Sequence, residues 1–251
     1  MPGTRVLERS LAMLSELAES DLPLSTAELA RRADLPPSTA YRLGDELDGH
    51  GLVERDGDGG VALGLRLLEL ARRVEDDLAA SLLEPARGTM RELAREHGET
   101  ALLTAPAGRS AIGLDAVEPA RPVRLSFGRW RTAPMHLGAS GKVLLAFLPP
   151  RAAERVLASV DGVVTASGTP MKIATLRAEL AEARQRGFVV THGELDRGVS
   201  GVAAPVLGLR GRLLAGLTLV GPTERVAPRV ERLSAAVRAA AEGIGRAVQS
   251  R

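Results

Sequence analysis

A chain of 251 residues, 45% hydrophobic and 25% charged, has room for two ordinary domains and is too apolar for a disordered class. No apolar run approaches the roughly 18–20 residues of a membrane-spanning helix, and the absence of cysteine excludes disulfide frameworks and thiolate metal sites. The net charge of +2 marks no strongly basic or acidic protein, and with aromatics at 2% the core must come from Leu, Val and Ala.

The opening Met1-Pro2-Gly3-Thr4-Arg5 lacks the apolar core of a signal peptide, so a cytoplasmic location is expected. Val6, Leu7, Leu11, Leu14, Leu17 and Ala18 recur at helical spacing and predict an amphipathic helix from about Thr4 to Glu19. Asp21-Leu22-Pro23 breaks it. Ser25-Thr26-Ala27-Glu28 then reads as a capping box, in which the Ser25 hydroxyl takes the Glu28 amide and the Glu28 side chain reaches back. It starts a short helix, Thr26 to Ala33. After the turn Asp34-Leu35-Pro36, Pro37 opens a third helix that runs to about His50, buries Ala40, Leu43 and Leu47, and stops at Gly51. Gly44 in its middle is a local weakness of roughly 1 kcal/mol relative to Ala.

Leu52–Arg55 and Val61–Leu63, around Asp56-Gly57-Asp58-Gly59-Gly60, predict a β-hairpin. Three helices and a hairpin form the winged helix-turn-helix layout, in which the third helix enters the DNA major groove. Its exposed face carries Ser38, Thr39, Tyr41, Arg42 and Asp45. Arg42 is the candidate for a base edge, because its fork can bond guanine twice, worth about 1–3 kcal/mol of discrimination. Ser38 and Thr39, at the helix start, are better placed for phosphates, for which Arg42 is also a candidate, and Arg31 and Arg55 are further DNA-binding candidates. The segment's charge points the other way, since residues 1–75 hold nine arginines against fourteen acids. A small helical module for protein contacts therefore stays open at this level.

Leu63–Val74 predicts a connecting helix apolar on more than one side, suited to packing against a second subunit. A helix over Ser81–His97 follows, then strands at Thr100–Ala105, Ser110–Val117 and Val123–Phe127. The stretch from Met135 to Lys142 leads into an apolar helix, Val143–Leu148. Helices at Arg151–Val160 and Ile173–Gly187, strands at Phe188–Thr191, Val199–Leu207 and Leu213–Val220, and a long amphipathic helix from Val226 to Val248 complete the chain. Strands and helices without βαβ alternation predict an α+β fold.

Gly138-Ala139-Ser140-Gly141-Lys142 fails two tests. A phosphate-binding loop needs glycine where His136 stands and Ser or Thr where Val143 stands, and a nucleophile elbow needs Gly-x-Ser-x-Gly. What remains is a helix start whose amides suit a carboxylate or phosphate, or a close-packed helix start with no ligand. His50, His97, His136 and His192 show no metal-ligand spacing, so no metal, cofactor or catalytic residue is expected.

These motifs, in this order, resemble those of the isocitrate lyase regulator (IclR) family of transcription factors over essentially the whole chain. Leu35-Pro36-Pro37-Ser38-Thr39-Ala40-Tyr41-Arg42-Leu43 looks like its turn and recognition helix, with Gly51-Leu52-Val53 leading into the wing. His136 through Ala146, and Glu194 through Val206 ending at Gly221-Pro222, resemble its two distinctive C-terminal segments. The resemblance implies a winged helix-turn-helix (1–64), a linker helix (65–78) and a GAF-like α/β effector-binding domain (79–251). It also implies a dimer or tetramer, working as repressor or activator on a palindromic operator. By motif position the effector pocket includes Ala139 and Ser140, is lined by Thr191, Val199, Gly201, Thr218 and Val220, and has Leu125 and Ala133 above. Members that bind small α-keto acids carry an acid in place of Thr191 and a serine in place of Val220, so an organic acid with an apolar or aromatic body is the implied effector. Two alternatives stay open: a small-molecule enzyme, and a ligand-blind interaction protein, each using the N-terminal helices only for oligomerisation.

Overall fold

The computed structural model describes residues 2–57, 59–160 and 162–250, so Asp58 of the expected hairpin turn lies outside the described residues, as do Met1, Asp161 and Arg251. The chain divides into two units, Met1–Asp77 and Leu78–Arg251.

The first unit holds α1 (Pro2–Ala18), β1 (Leu24–Ser25), α2 (Thr26–Arg32), α3 (Pro37–Gly49), β2 (Val53–Arg55) and β3 (Gly60–Leu63), with α4 (Arg66–Leu78) at its end. β2 and β3 pair antiparallel as the expected hairpin, and β1 adds to the other edge of β3. Met13 and Leu17 of α1, Leu29 and Ala30 of α2, Ala40, Leu43 and Leu47 of α3, and Val53 and Val61 of the wing form one core. Fully burying a side chain the size of leucine contributes roughly 1.5–3 kcal/mol, so this small cluster holds the tri-helical arrangement together. The α4 helix is different, since none of its residues is buried.

Two local readings need correction. The capping box forms by half: the Glu28 N–H donates to Ser25 Oγ at 3.2 Å. The Glu28 carboxylate, however, accepts from Arg31 (2.6 and 2.9 Å) and Arg32 (2.8 Å). Two guanidiniums one turn ahead outcompete one backbone amide, because charge-assisted bonds are about twice as strong. Gly44 is more than a weak point in α3. It is buried, and a Cβ there would lie 3.0 Å from the Arg55 guanidinium, which crosses it to bond Asp45 at 2.7 Å.

The second unit begins with a π-helical turn (Ala79–Leu83) and α5 (Glu84–His97), ended by Gly98 in the left-handed conformation. β4 (Thr100–Ala107), β5 (Ser110–Val117) and β6 (Thr132–Pro134) precede α6 (Gly138–Phe147), α7 (Pro150–Leu157) and α8 (Ile173–Arg186). β7 (Val189–His192), β8 (Val199–Leu207), β9 (Leu213–Pro222), the short α9 (Thr223–Val226) and α10 (Val230–Gln249) complete it. The sheet order is β6-β5-β4-β9-β8-β7, and every neighbouring pair is antiparallel. The expected strand at Val123–Phe127 does not form. That stretch is irregular, with the Leu125 carbonyl accepting from the Thr100 hydroxyl at 2.6 Å, while the edge of β5 is taken by β6.

Period-two alternation assigns the faces. Val202, Ala204 and Val206 of β8, with Ala215, Leu217 and Leu219 of β9, join the core built with α5 and α10. Ala203 of β8 joins the opposite core, built with α6, α7 and α8. The fold is α+β, as expected, with helices on both faces of an antiparallel sheet.

Candidate functional site

In the first unit, the outward face of α3 carries Ser38, Tyr41, Arg42 and Asp45, all exposed, with Thr39 half-buried. Pro36 at the N-cap offers no side-chain acceptor and Pro37 has no N–H, so with Thr39 and Ala40 donating to the Pro36 carbonyl it is the Ser38 amide that remains for an acceptor. Arg42 makes no ion pair or hydrogen bond among the described residues. The other two arginines expected to bind DNA, Arg31 and Arg55, are already engaged. Arg31 grips Glu28, whose carboxyl is pushed down to about 2 by its bonds to Arg31 and Arg32. Arg55 is bonded to Asp45. Arg42 is thus the α3 arginine left facing outward without a carboxylate partner among the described residues.

In the second unit, alternation turns Val199 and Gly201 of β8 and Thr218 and Val220 of β9 toward the start of α6. Register completes the wall, since Gly201 pairs with Val220 on one side and with Thr191 of β7 on the other. Glycine at 201 permits the approach of α6, because a Cβ there would come within 3.1 Å of the Ala139 Cβ. Gly141 seats the helix start in the same way, since a Cβ would meet the Pro134 carbonyl oxygen at 2.7 Å. Ser140 Oγ and Thr218 Oγ1 are 3.0 Å apart and share a hydrogen bond.

Around this wall lie two adjoining cavities. A small inner pocket of about 50 Å³ is lined by Ala139, Ser140, Thr191, Val199, Gly201, Thr218 and Val220, together with Phe127, Glu194, Leu195 and Asp196. An outer cleft of about 460 Å³ shares Phe127, Ser140, Leu195, Asp196 and Val199 with it and adds Leu102, Leu125, Ala133, Leu137 and Arg131. All nine sequence-selected pocket positions line one or both.

Sequence reasoning missed the charged groups. Arg131 is the only basic side chain among the lining residues and has no ion pair among the described residues. Its backbone follows Trp130, which adopts φ +67°, an uncommon conformation for a bulky residue. That turn is pinned by the Trp130 N–H donating to Gly113 O at 2.7 Å, and the Arg129 guanidinium lies 5.1 Å from the Trp130 ring. Glu194 accepts the Gly138 N–H at 3.0 Å and the Lys142 ammonium at 2.6 Å, and Lys142 also donates to Glu179 at 2.6 Å. One signal was present: Lys142 is one of two lysines in the chain and opens the apolar run Val143–Phe147.

Comparison with known proteins bears on both units. Residues 6–57 match the model of the IclR helix-turn-helix domain, and residues 79–246 match that of the bacterial transcriptional regulator IclR C-terminal domain. The chain is 34% identical over 224 residues to the probable transcriptional regulator SauR of Cupriavidus necator, covering 87% of this chain and 86% of that one. A putative IclR transcriptional regulator from Silicibacter sp. TM1040 superposes with a TM-score of 0.81 at 27% identity, over 97% of this chain and 96% of that one. An IclR homologue from Microbacterium hydrocarbonoxydans, solved in complex with 4-hydroxybenzoate, gives 0.73 at 29% identity, over 98% of this chain and all of that one.

Proposed function

We propose, from the premise that the chain belongs to the IclR family of bacterial transcriptional regulators, that its C-terminal unit binds a small organic acid and thereby sets the affinity of its N-terminal unit for operator DNA. Membership makes the protein a DNA-binding regulator, and the enzyme alternative falls with it. The domains take the bounds 1–64, 65–78 and 79–251.

The observation that carries the effector reading is the cavity pair beside the start of α6, where Leu125, Ala133, Ala139, Ser140, Thr191, Val199, Gly201, Thr218 and Val220 converge. The Ala139 and Ser140 amides stand in the first turn, where no partner exists within the helix, and the helix end carries partial positive charge. They receive the carboxylate. Leu102, Leu125, Phe127 and Leu137 receive an apolar or aromatic body, and Arg131 supplies the cleft's one cation. The 4-hydroxybenzoate bound by the Microbacterium homologue supports this ligand class.

On the DNA side, α3 enters the major groove with Arg42 and Tyr41 toward base edges, while Ser38, Thr39, Arg31 and Arg55 face phosphates. Those arginines must exchange their intramolecular carboxylates for phosphate. The exposed Leu68, Leu70 and Val74 of α4 support a homodimer, or a tetramer of two. A dimer reads a palindrome with half-sites about 34–36 Å apart. Effector binding favours one placement of the two DNA-binding units, and a coupling of roughly 1–3 kcal/mol changes operator affinity from several-fold to about a hundred-fold.

Selection of genomic fragments with the full chain, followed by footprinting at moderate salt, tests the reading. A protected palindrome is expected, lost in Arg42→Ala without loss of the folded state. In parallel, 4-hydroxybenzoate should raise the melting temperature, with the logarithm of its concentration once that exceeds Kd. Stabilisation by short hydrophilic keto acids alone would refute the aromatic-acid reading, and stabilisation by no acid at all would leave a ligand-blind regulator.

A further inference from the structure

Glu194 forms part of two walls. It lines the inner effector pocket, and it also lines a separate cavity of about 180 Å³ shared with Lys142, Glu179 and Phe188 on the α8 side. One carboxylate oxygen accepts the Gly138 amide at 3.0 Å, and the other accepts Lys142 Nζ at 2.6 Å. The Lys142 side chain is 4% exposed, and its second acceptor is Glu179 at 2.6 Å. One ammonium therefore faces two carboxylates, and the cluster carries one excess negative charge.

That excess lies beside the proposed ligand. Glu194 already holds the first amide of α6, next to the two amides assigned to the effector's carboxylate. The inner pocket's other ionisable group, Asp196, is also an acid and has no hydrogen-bonded partner for its side chain among the described residues. Arg131, the only cation lining the inner pocket and the outer cleft among the described residues, belongs to the outer cleft and not to the inner pocket. The helix start and Arg131 offer positive potential for one anionic group, and nothing at the inner end offsets a second. Charges at a partly buried wall interact through a lower effective dielectric than in water, so the repulsion is not screened away.

We infer, resting on the effector reading above, that Glu194 is a specificity-determining residue that admits monoanionic acids and rejects those with a second negative group adjacent to the first. Specificity here comes from a repulsive element as well as an attractive one. Glu194→Gln keeps a carbonyl oxygen for the Gly138 amide and removes the charge, leaving Lys142 balanced by Glu179 alone.

The test is calorimetric titration of the full-length chain with benzoate and with phthalate, which differ by one adjacent carboxylate, at a pH where phthalate is doubly ionised. The wild type is expected to prefer benzoate by at least about tenfold, equivalent to about 1.4 kcal/mol. In Glu194→Gln that preference should fall by about tenfold, chiefly through tighter phthalate binding. Glu179→Gln, which removes a charge from the exposed end of the cluster and leaves the Gly138 bond alone, should shift the ratio the same way by about threefold; it decides the matter should the first variant not fold. An unchanged benzoate-to-phthalate ratio in a folded Glu194→Gln, or in Glu179→Gln where that is the deciding variant, would overturn the inference while leaving the effector reading standing. Binding of neither acid, nor of 4-hydroxybenzoate, by the wild type would overturn both.

Discussion

Two buried charge clusters in the C-terminal unit are inverses of each other. At the head of β4 one carboxylate, Glu99, lies between two guanidiniums, with Arg225 at 2.7 Å and Arg229 at 2.6 Å. In α6 one ammonium, Lys142, lies between two carboxylates. Both central groups are nearly sealed from water, at 1% and 4% exposure. Their partners differ. Arg225 bonds Glu99 through two nitrogens, and Arg229 also bonds the His97 carbonyl at 3.0 Å, so the end of α5, the head of β4 and the α9–α10 segment are clasped at fixed angles. Lys142 is a point charge with rotatable donors, and one of its partners, Glu179, is about half exposed. The difference teaches that a planar fork around an acid fastens distant segments, whereas a flexible ammonium between acids leaves adjustable charge, and the adjustable cluster is the one that borders a cavity.

Four experiments break or sharpen this contrast. Glu99→Ala leaves two guanidiniums facing each other without a counterion, and breaking a buried pair in this way costs about 3–5 kcal/mol. Chemical denaturation should show that loss, and a change below about 1 kcal/mol would deny the cluster its fastening role. Lys142→Met leaves two carboxylates, but Glu179 can turn to solvent, so the expected loss is smaller, about 2 kcal/mol. A cost equal to or above that of Glu99→Ala would invert the comparison.

The smallest effects are in pH. Each cluster has a neighbouring histidine, His97 beside Glu99 and His136 beside Lys142. Burial, above all, holds the buried His97 ring below its ordinary pKa of 6.5, with Glu96 opposing. Burial and then the Lys142 charge hold His136 down. Because both folded rings resist a proton that the unfolded chain accepts, stability is unaffected well above pH 6.5 and declines as pH falls below it. His97→Gln should flatten part of that decline in denaturation curves taken at successive pH values. Imidazole titration by NMR should show His136 moving upward in Lys142→Met while His97 stays in place; equal movement of both would show that the clusters are not separate.

Much of the fold is legible from short-range signals. Pro37 opens α3, Gly98 closes α5, and the strand expected at Val199–Leu207 coincides with β8. Where the signal is non-local, the reading fails. Val123–Phe127 has strand composition, yet it joins no strand, and the Leu125 carbonyl takes a side-chain hydroxyl instead. The fate of Glu28 was equally hidden, because a capping box and an i,i+3 or i,i+4 ion pair compete for the same carboxylate. The pocket is illegible from periodicity, since its wall joins residues as far apart as Ser140 and Thr218, separated by 78 positions. Its nine sequence-selected positions came through family resemblance, which names pocket-lining positions but says nothing of which charges surround them.

Trp130 and Tyr41 are the chain's only tryptophan and only tyrosine. One stands in the turn leading to Arg131 at the outer cleft, and the other is exposed on the outward face of α3. The molecule is therefore spectroscopically labelled at each working end without any engineering. Indole emission, excited at the red edge where the phenol does not absorb, reports the turn beside the cleft, and the phenol component, obtained at shorter wavelength after subtracting the indole contribution, reports α3. Titrating 4-hydroxybenzoate while following both chromophores would show whether a change at the Trp130 turn is accompanied by one at α3.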